Sequence, residues 1–188
     1  VEKIKTSGKN NDYDCLIGIS GGVDSTYTAY LVKNLGLRPL AVHFDNGWNS
    51  EIAVHNIQKL LDKLNIDLYT YVVDWEEFKD IQISFLKSST PDGEIPTDHA
   101  IIATLYKVAS EFNIKYIISG NNFITEGIMP KNWAYGHADY KYIKSIQNTF
   151  GSKKLRSFPY FNLRKIIWHT FIKRVKMVSI LNYIEYSF

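Results

Sequence analysis

Cysteine is nearly absent from this 188-residue sequence, where Cys15 stands alone. One thiol excludes an intrachain disulfide and a cysteine-built zinc site, so no zinc is expected, and it fits a reducing compartment. Apolar runs long enough to span a bilayer are missing, as is a signal peptide with a charged start, an apolar middle and a small-residue cleavage site. No transmembrane segment and a cytoplasmic location are therefore expected. A strong net charge is lacking too: +3 overall, with a pI near 8.8, is too mild to mark a nucleic-acid partner. The charge is nevertheless unevenly spread. Residues 151–188 hold eight Lys and Arg against one acid, Glu185, a net +7 that leaves −4 for residues 1–150.

What is present suits one globular domain, because 188 residues with 45% hydrophobic content can bury one sizeable core. The start at Val1 rather than Met, and the end at Phe188 inside an apolar, aromatic stretch, lead us to expect a fragment.

Periodicity organises the chain. Cys15 to Ile19 reads as a short apolar strand, Ser20-Gly21-Gly22 as a tight loop, and Val23 to Leu35 as a helix. The pattern recurs with a strand at Pro39 to Phe44, a helix from about Ser50 to Leu64, a strand at Asp67 to Val73 and a helix near Trp75 to Leu86. Ser88 to Gly93 is a loop, Pro96 opens a helix reaching about Phe112, and Lys115 to Ser119 is a fourth strand. The segment 121–137 lacks period, and the chain turns helical again from Ala138. Leu163, Ile167, Phe171, Val175 and Val178 then form one stripe of a basic amphipathic helix spanning Phe161 to Ile180. Such alternation predicts an α/β fold, a mostly parallel Rossmann-like sheet of about five strands covered by helices. Residues 1–150 form its nucleotide-binding body. Residues 151–188 form a helical extension, either part of the same domain or an oligomer contact. Ligands of such sheets sit at the carboxyl ends of strands.

The chemistry concentrates at Ser20-Gly21-Gly22-Val23-Asp24-Ser25-Thr26, between a strand and a helix. Two glycines permit a sharp turn and let amides approach phosphate oxygens. The helix start adds partial positive charge, and the hydroxyls of Ser20, Ser25 and Thr26 add donors. The spacing is neither a Walker A loop nor G-x-G-x-x-G. Asp24 would repel phosphates unless a cation lay between, which implies Mg²⁺. The bland alternative is a glycine turn before an ordinary helix.

This stretch resembles the PP-loop of the N-type ATP pyrophosphatases, adenine nucleotide alpha hydrolase-like enzymes that cleave ATP to AMP and pyrophosphate. The stretches Tyr13 to Cys15, Pro39 to Val42, Phe44 to Asn49, Glu94 to Ala100, Tyr116 to Gly120 and Ile128 to Lys131 are similar to the N-acetyl sugar amidotransferases, the PseA and WbpG type of bacterial lipopolysaccharide and surface-polysaccharide biosynthesis. That resemblance runs from about Tyr13 to Tyr186, although Val23 stands where many members carry Lys. It implies that ATP adenylates the amide oxygen of an N-acetylated sugar or nucleotide sugar, ammonia attacks, and AMP leaves an acetamidino group. A separate glutamine amidotransferase is implied as ammonia supplier, since Cys15 offers no glutaminase nucleophile. Thiolation is disfavoured, because sulfur-transferring members generally use a reactive cysteine facing the site.

The resemblance implies that His43 and Asp45, at the end of the second strand, neighbour the nucleotide. A strand end with an ordinary Asn-Gly turn explains them equally. Trp48 would stack on a base or sugar, or merely pack. Asp98 and His99, in the first turn of a helix, would orient substrate or accept a proton from ammonia, or serve the helix cap. Gly120, Asn121 and Asn122 follow the fourth strand as nucleotide and substrate contacts. By resemblance Lys131 would neutralise the α-phosphate and Glu126 would hold Mg²⁺ with Asp24, against a solvated surface pair. The basic tail would pack on the body or a second subunit, bind nucleic acid, or lie on a membrane surface. Two other functions remain open: a tRNA-modifying PP-loop ligase and a non-catalytic ATP-binding regulatory subunit.

Overall fold

The computed structural model describes residues 1–122 and 137–185. Five parallel strands form one sheet: β1 (Cys15–Gly18), β2 (Pro39–Asp45), β3 (Asp67–Val72), β4 (Tyr116–Ser119) and β5 (Lys176–Ser179), in the order β3-β2-β1-β4-β5. Leu16 lies opposite Leu40 on one side and Ile117 on the other. The chain therefore runs outward from β1 in both directions, and the order reverses between β1 and β4.

Side-chain alternation divides the core. Cys15, Ile17, Ala41 and Ile118 face α2 (Val23–Asn34) and α3 (Glu51–Leu64), whereas Leu16, Leu40, Val42 and Ile117 face α5 (Ile95–Glu111). β1 is buried on both faces, which explains its unbroken apolar run. A third cluster joins Phe44 to α4 (Trp75–Lys87), the start of α5 and α6 (Tyr140–Phe150) through Phe78, Ile81, Phe85, Ile95 and Ile143. Ser50 and Asp74 cap α3 and α4 through their side chains. A short helix, α1 (Glu2–Gly8), precedes β1 and places Ile4 in the core.

The single basic helix expected over Phe161 to Ile180 does not form. Helix α7 (Leu163–Ile167) passes into a π-turn at Trp168–Ile172, Arg174 adopts φ +55°, and the chain then enters β5. The competing force is sheet pairing: β4 would otherwise carry a bare edge, and Tyr116–Ser119 pairs instead with Lys176–Ser179. Val175 is buried against the α5 side of the sheet, but Leu163, Ile167 and Phe171 of the same apolar stripe face solvent.

Between α6 and α7 the chain is tied down by side chains of α4. Glu77 accepts from the amides of Arg156, Ser157 and Phe158, at 2.9 to 3.2 Å. One turn on, Asp80 accepts from the amides of Ser152 and Lys153, the Ser152 hydroxyl and the Gln147 amide. Desolvation alone would raise the Asp80 pKa, but these donors pull it down to about 2.

Candidate functional site

The carboxyl ends of β1, β2 and β4 open into a cavity of about 530 Å³. It lies where the strand order reverses, the place at which open α/β sheets bind ligands. Of the residues singled out from sequence, Ser20, Gly22, Asp24, Ser25, His43, Gly120 and Asn121 line it.

The loop after β1 is shaped by sterics. Gly21 sits at φ +80°, and a Cβ there would lie 2.8 Å from the Ala53 carbonyl oxygen, so only glycine fits between the loop and α3. The Ser25 hydroxyl donates to the Gly22 carbonyl at 3.0 Å and lies 3.2 Å from the Ser20 hydroxyl. Gly22, the N-cap of α2, supplies no side-chain cap, so the helix start presents its first amides toward the cavity. Gly120 permits a second close approach: a Cβ would lie 3.2 Å from the Asp24 backbone, which seats the end of β4 on the head of α2. Asn122, buried, donates to the Asp24 carboxylate at 3.5 Å. Thr26 continues α2, its amide bonding the Gly22 carbonyl.

His43 is buried, with Nδ1 3.0 Å from the Ile19 carbonyl. A carbonyl can only accept, so Nδ1 carries a proton and donates, and Nε2 is buried with no hydrogen-bond partner among the described residues. Asp45 takes up the turn role, one of the two readings open for this strand end. Its Oδ1 accepts from the Gly47 amide at 2.9 Å and from Asn49 Nδ2 at 3.0 Å, fastening the turn after β2. That turn carries Asn46 and Asn49 into the cavity wall, two residues the sequence reading passed over. Amides beside a Gly turn at a strand end were the available signal. Trp48 is exposed and packs edge-to-face on Trp75, with ring centroids 5.8 Å apart.

Asp98 and His99 do not reach the cavity. His99 is 1% exposed, Nδ1 donates to the His137 carbonyl, and Nε2 accepts from the Phe161 amide at 2.9 Å. Nδ1 ties α5 to His137 and Nε2 ties it to Phe161, so both nitrogens are occupied and none is left for proton transfer. Asp98 faces His137 Nδ1 at 3.7 Å, and burial raises its pKa. Lys131 and Glu126 lie outside the described residues. Cys15 is fully buried and desolvation pushes its thiol up to about 12, so it is inert as a nucleophile or sulfur carrier.

The His99 contacts carry a pH signature. Burial lowers its pKa, opposed by the backbone hydrogen bond to His137. A protonated ring would carry hydrogen on Nε2 and lose the Phe161 bond. The neutral form is the one folding favours, so its contribution is full above the ordinary value of 6.5 and is lost as pH falls from there to the lower folded value. Thermal melts across this window should show the loss in the native protein and not in His99→Asn; equal pH slopes in both would refute it.

Among the described residues no cluster of three or more His, Cys, Asp or Glu could hold a metal. Asp24 fits a magnesium ion all the same, because Mg²⁺ on a nucleotide takes one or two carboxylates plus phosphate and water oxygens. No helix of the described residues is long and apolar enough to cross a membrane.

Residues 14–125 match the family model described as queuosine biosynthesis protein QueC. The chain is 26% identical over 113 residues to tRNA-specific 2-thiouridylase MnmA 2 of Fusobacterium nucleatum, covering 56% of this chain and 33% of that protein. It is 34% identical over 85 residues to 7-cyano-7-deazaguanine synthase of Sulfurimonas denitrificans, covering 45% and 37%. It thus spans about a third of the length of these curated relatives. A predicted subunit of tRNA methyltransferase from Methanocaldococcus jannaschii shares the fold at a TM-score of 0.50 and 16% identity, covering 92% of this chain and 71% of that one. The family model and the curated relatives carry the PP-loop ATP pyrophosphatase likeness, and none of the four matches supports the N-acetyl sugar amidotransferase type expected from the sequence.

Proposed function

The chain belongs to the family of the queuosine biosynthesis protein QueC, and from that premise we propose that its cavity binds ATP, with the diphosphate on the Ser20–Thr26 loop, for an AMP-forming ligase or synthase reaction on a base or nucleoside. The observation that carries this reading is the Gly21-Gly22 bend placed against an uncapped helix start at the sheet's switch point. An acceptor oxygen would attack the α-phosphorus, the bond to the bridging oxygen would break, and its electron pair would leave with pyrophosphate. Loop amides and the Ser20 and Ser25 hydroxyls would hold that leaving group, while Asn121, on the cavity wall, would stand beside the acceptor and Asn122 would position the Asp24 carboxylate. Bound magnesium would neutralise phosphate charge against Asp24. The adenylated acceptor would then lose AMP to a nitrogen nucleophile, since the buried Cys15 suits no sulfur transfer. The same proposal places the reaction in the cytosol, where ATP and Mg²⁺ are supplied.

A base or nucleoside is favoured over an N-acetylated sugar by the names of the relatives, which include a 7-cyano-7-deazaguanine synthase and a tRNA thiouridylase. The test uses ATP labelled at the α- and γ-positions, with 7-deazaguanine bases, tRNA or UDP-N-acetylglucosamine added in turn. Labelled AMP and pyrophosphate stimulated by a base or by tRNA is the expected result. Stimulation by the sugar nucleotide alone would restore the amidotransferase reading, and formation of ADP would refute both.

A further inference from the structure

Away from the cavity, residues 163–172 present two rows at a spacing of four. Leu163, Ile167 and Phe171 form one row, exposed by 71%, 47% and 69%; Arg164, Trp168 and Ile172 form the next, with Trp168 and Ile172 exposed by 50% and 61%. Lys165 and Lys173 flank these rows, with Lys165 Nζ 3.5 Å above the Tyr160 ring and Lys173 Nζ 5.9 Å from that of Trp168. Arg174 and Lys176 follow. Residues 163–177 contain no acid, and none of these five cations forms an ion pair with a described residue. The opposite side of the segment is anchored: His169 is buried, with Nδ1 2.7 Å from the Ser110 hydroxyl, and packs on Tyr106 and Phe161.

We propose that this face rests on an anionic lipid surface, with Leu163, Ile167, Phe171 and Ile172 in the acyl boundary, Trp168 at headgroup level, and the surrounding Arg and Lys on lipid phosphates. The composition chooses among occupants. RNA would pair with the cations and stack on Trp168, but it leaves three aliphatic side chains in water. A second copy presenting the same face would oppose cations to cations. A membrane interface takes both the apolar rows and the positive charge. The segment is too short to cross a bilayer and is held to α5 through His169 and Ser110, which suits a surface contact. The inference is independent of the nucleotide reading, because vesicle binding is measured without ATP.

The test is co-sedimentation of the native chain with phosphatidylcholine vesicles, with and without phosphatidylglycerol, alongside its tryptophan emission. Binding to the anionic vesicles, weakened by salt, with a blue shift that Trp168→Phe removes, is expected. The double variant L163E/F171E should bind at least about tenfold more weakly while its thermal melt is unchanged. The proposal is overturned by equal partition of native and variant protein. It is overturned equally by tight binding of labelled tRNA with none to vesicles, or by a native dimer in sedimentation velocity that the double variant converts to monomer.

Discussion

Asp24→Asn is expected to change the sign of its effect with magnesium. With Mg²⁺ present, the variant should release pyrophosphate on the order of 10²-fold more slowly, the scale seen when one preorganised partner of transition-state charge is removed. With the metal chelated, it should bind free pyrophosphate more tightly than the native chain. The reason is electrostatic. Asp24 lines the cavity in the first turn of α2, beside the loop proposed to receive phosphate. Without a cation, two negative charges about 4 Å apart in a half-solvated site repel by about 1–4 kcal/mol, and the amide removes that repulsion. With a cation between them, the carboxylate becomes an attractive partner, and its loss weakens the assembly. Isothermal titration with pyrophosphate, with and without Mg²⁺, decides the matter. A purely structural Asp24 would give the same sign in both titrations, and the thermal melt should stay nearly constant because the bond to Asn122 survives the substitution.

The parts legible in sequence are those whose local chemistry and global role agree. β1, the Gly21-Gly22 bend and the head of α2 are legible because a doubly buried strand must be apolar, a left-handed loop position held against α3 must be glycine, and helical period begins at Val23. The single helix over Phe161 to Ile180 fails because Leu163, Ile167 and Phe171 recur at helical spacing, and periodicity says neither where a helix stops nor which face a segment turns inward. The inward positions are marked instead by His169 and Val175, one polar and one on the approach to β5. β5 itself is four residues long and gains its stability from pairing with β4, a long-range contact invisible to local pattern. His99 looked catalytic because a histidine at a helix start beside an acid suits proton transfer. Its real partners, His137 and Phe161, lie 38 and 62 residues away in sequence and only the folded chain brings them together. For Asp45 both readings stood open, because its partners are two and four residues ahead and a turn-fastening carboxylate has the same sequence signature as a ligand-binding one.

Glu77→Ala should be the most destabilising single change outside the apolar core. The carboxylate is 9% exposed and accepts from three consecutive amides, those of Arg156, Ser157 and Phe158, and from the Ser157 hydroxyl at 3.1 Å. Each charge-assisted bond is replaced in the variant by an amide facing a methyl group. Partial rehydration limits the sum, which leaves a loss of about 3–5 kcal/mol. For a chain of this length that lowers the Tm by about 6–18 °C. Ser157→Ala removes only the hydroxyl contact and should cost about 1 kcal/mol. Glu77→Gln is the sharper comparison, because it preserves shape while turning a donor toward amides that need an acceptor, and it should fall between the two. The effect should also propagate. Phe158 packs in the cluster shared with α4, α5 and α6, and the Phe161 amide three residues on is the donor to His99. Loosening 156–158 therefore frees both the strap and its tie to α5, whose Ile101, Thr104 and Leu105 form a wall of the cavity. Hydrogen exchange should accelerate at the amides of residues 156–161 in Glu77→Ala. Protection there equal to the native level, together with an unchanged Tm, would show that packing alone fixes the strap.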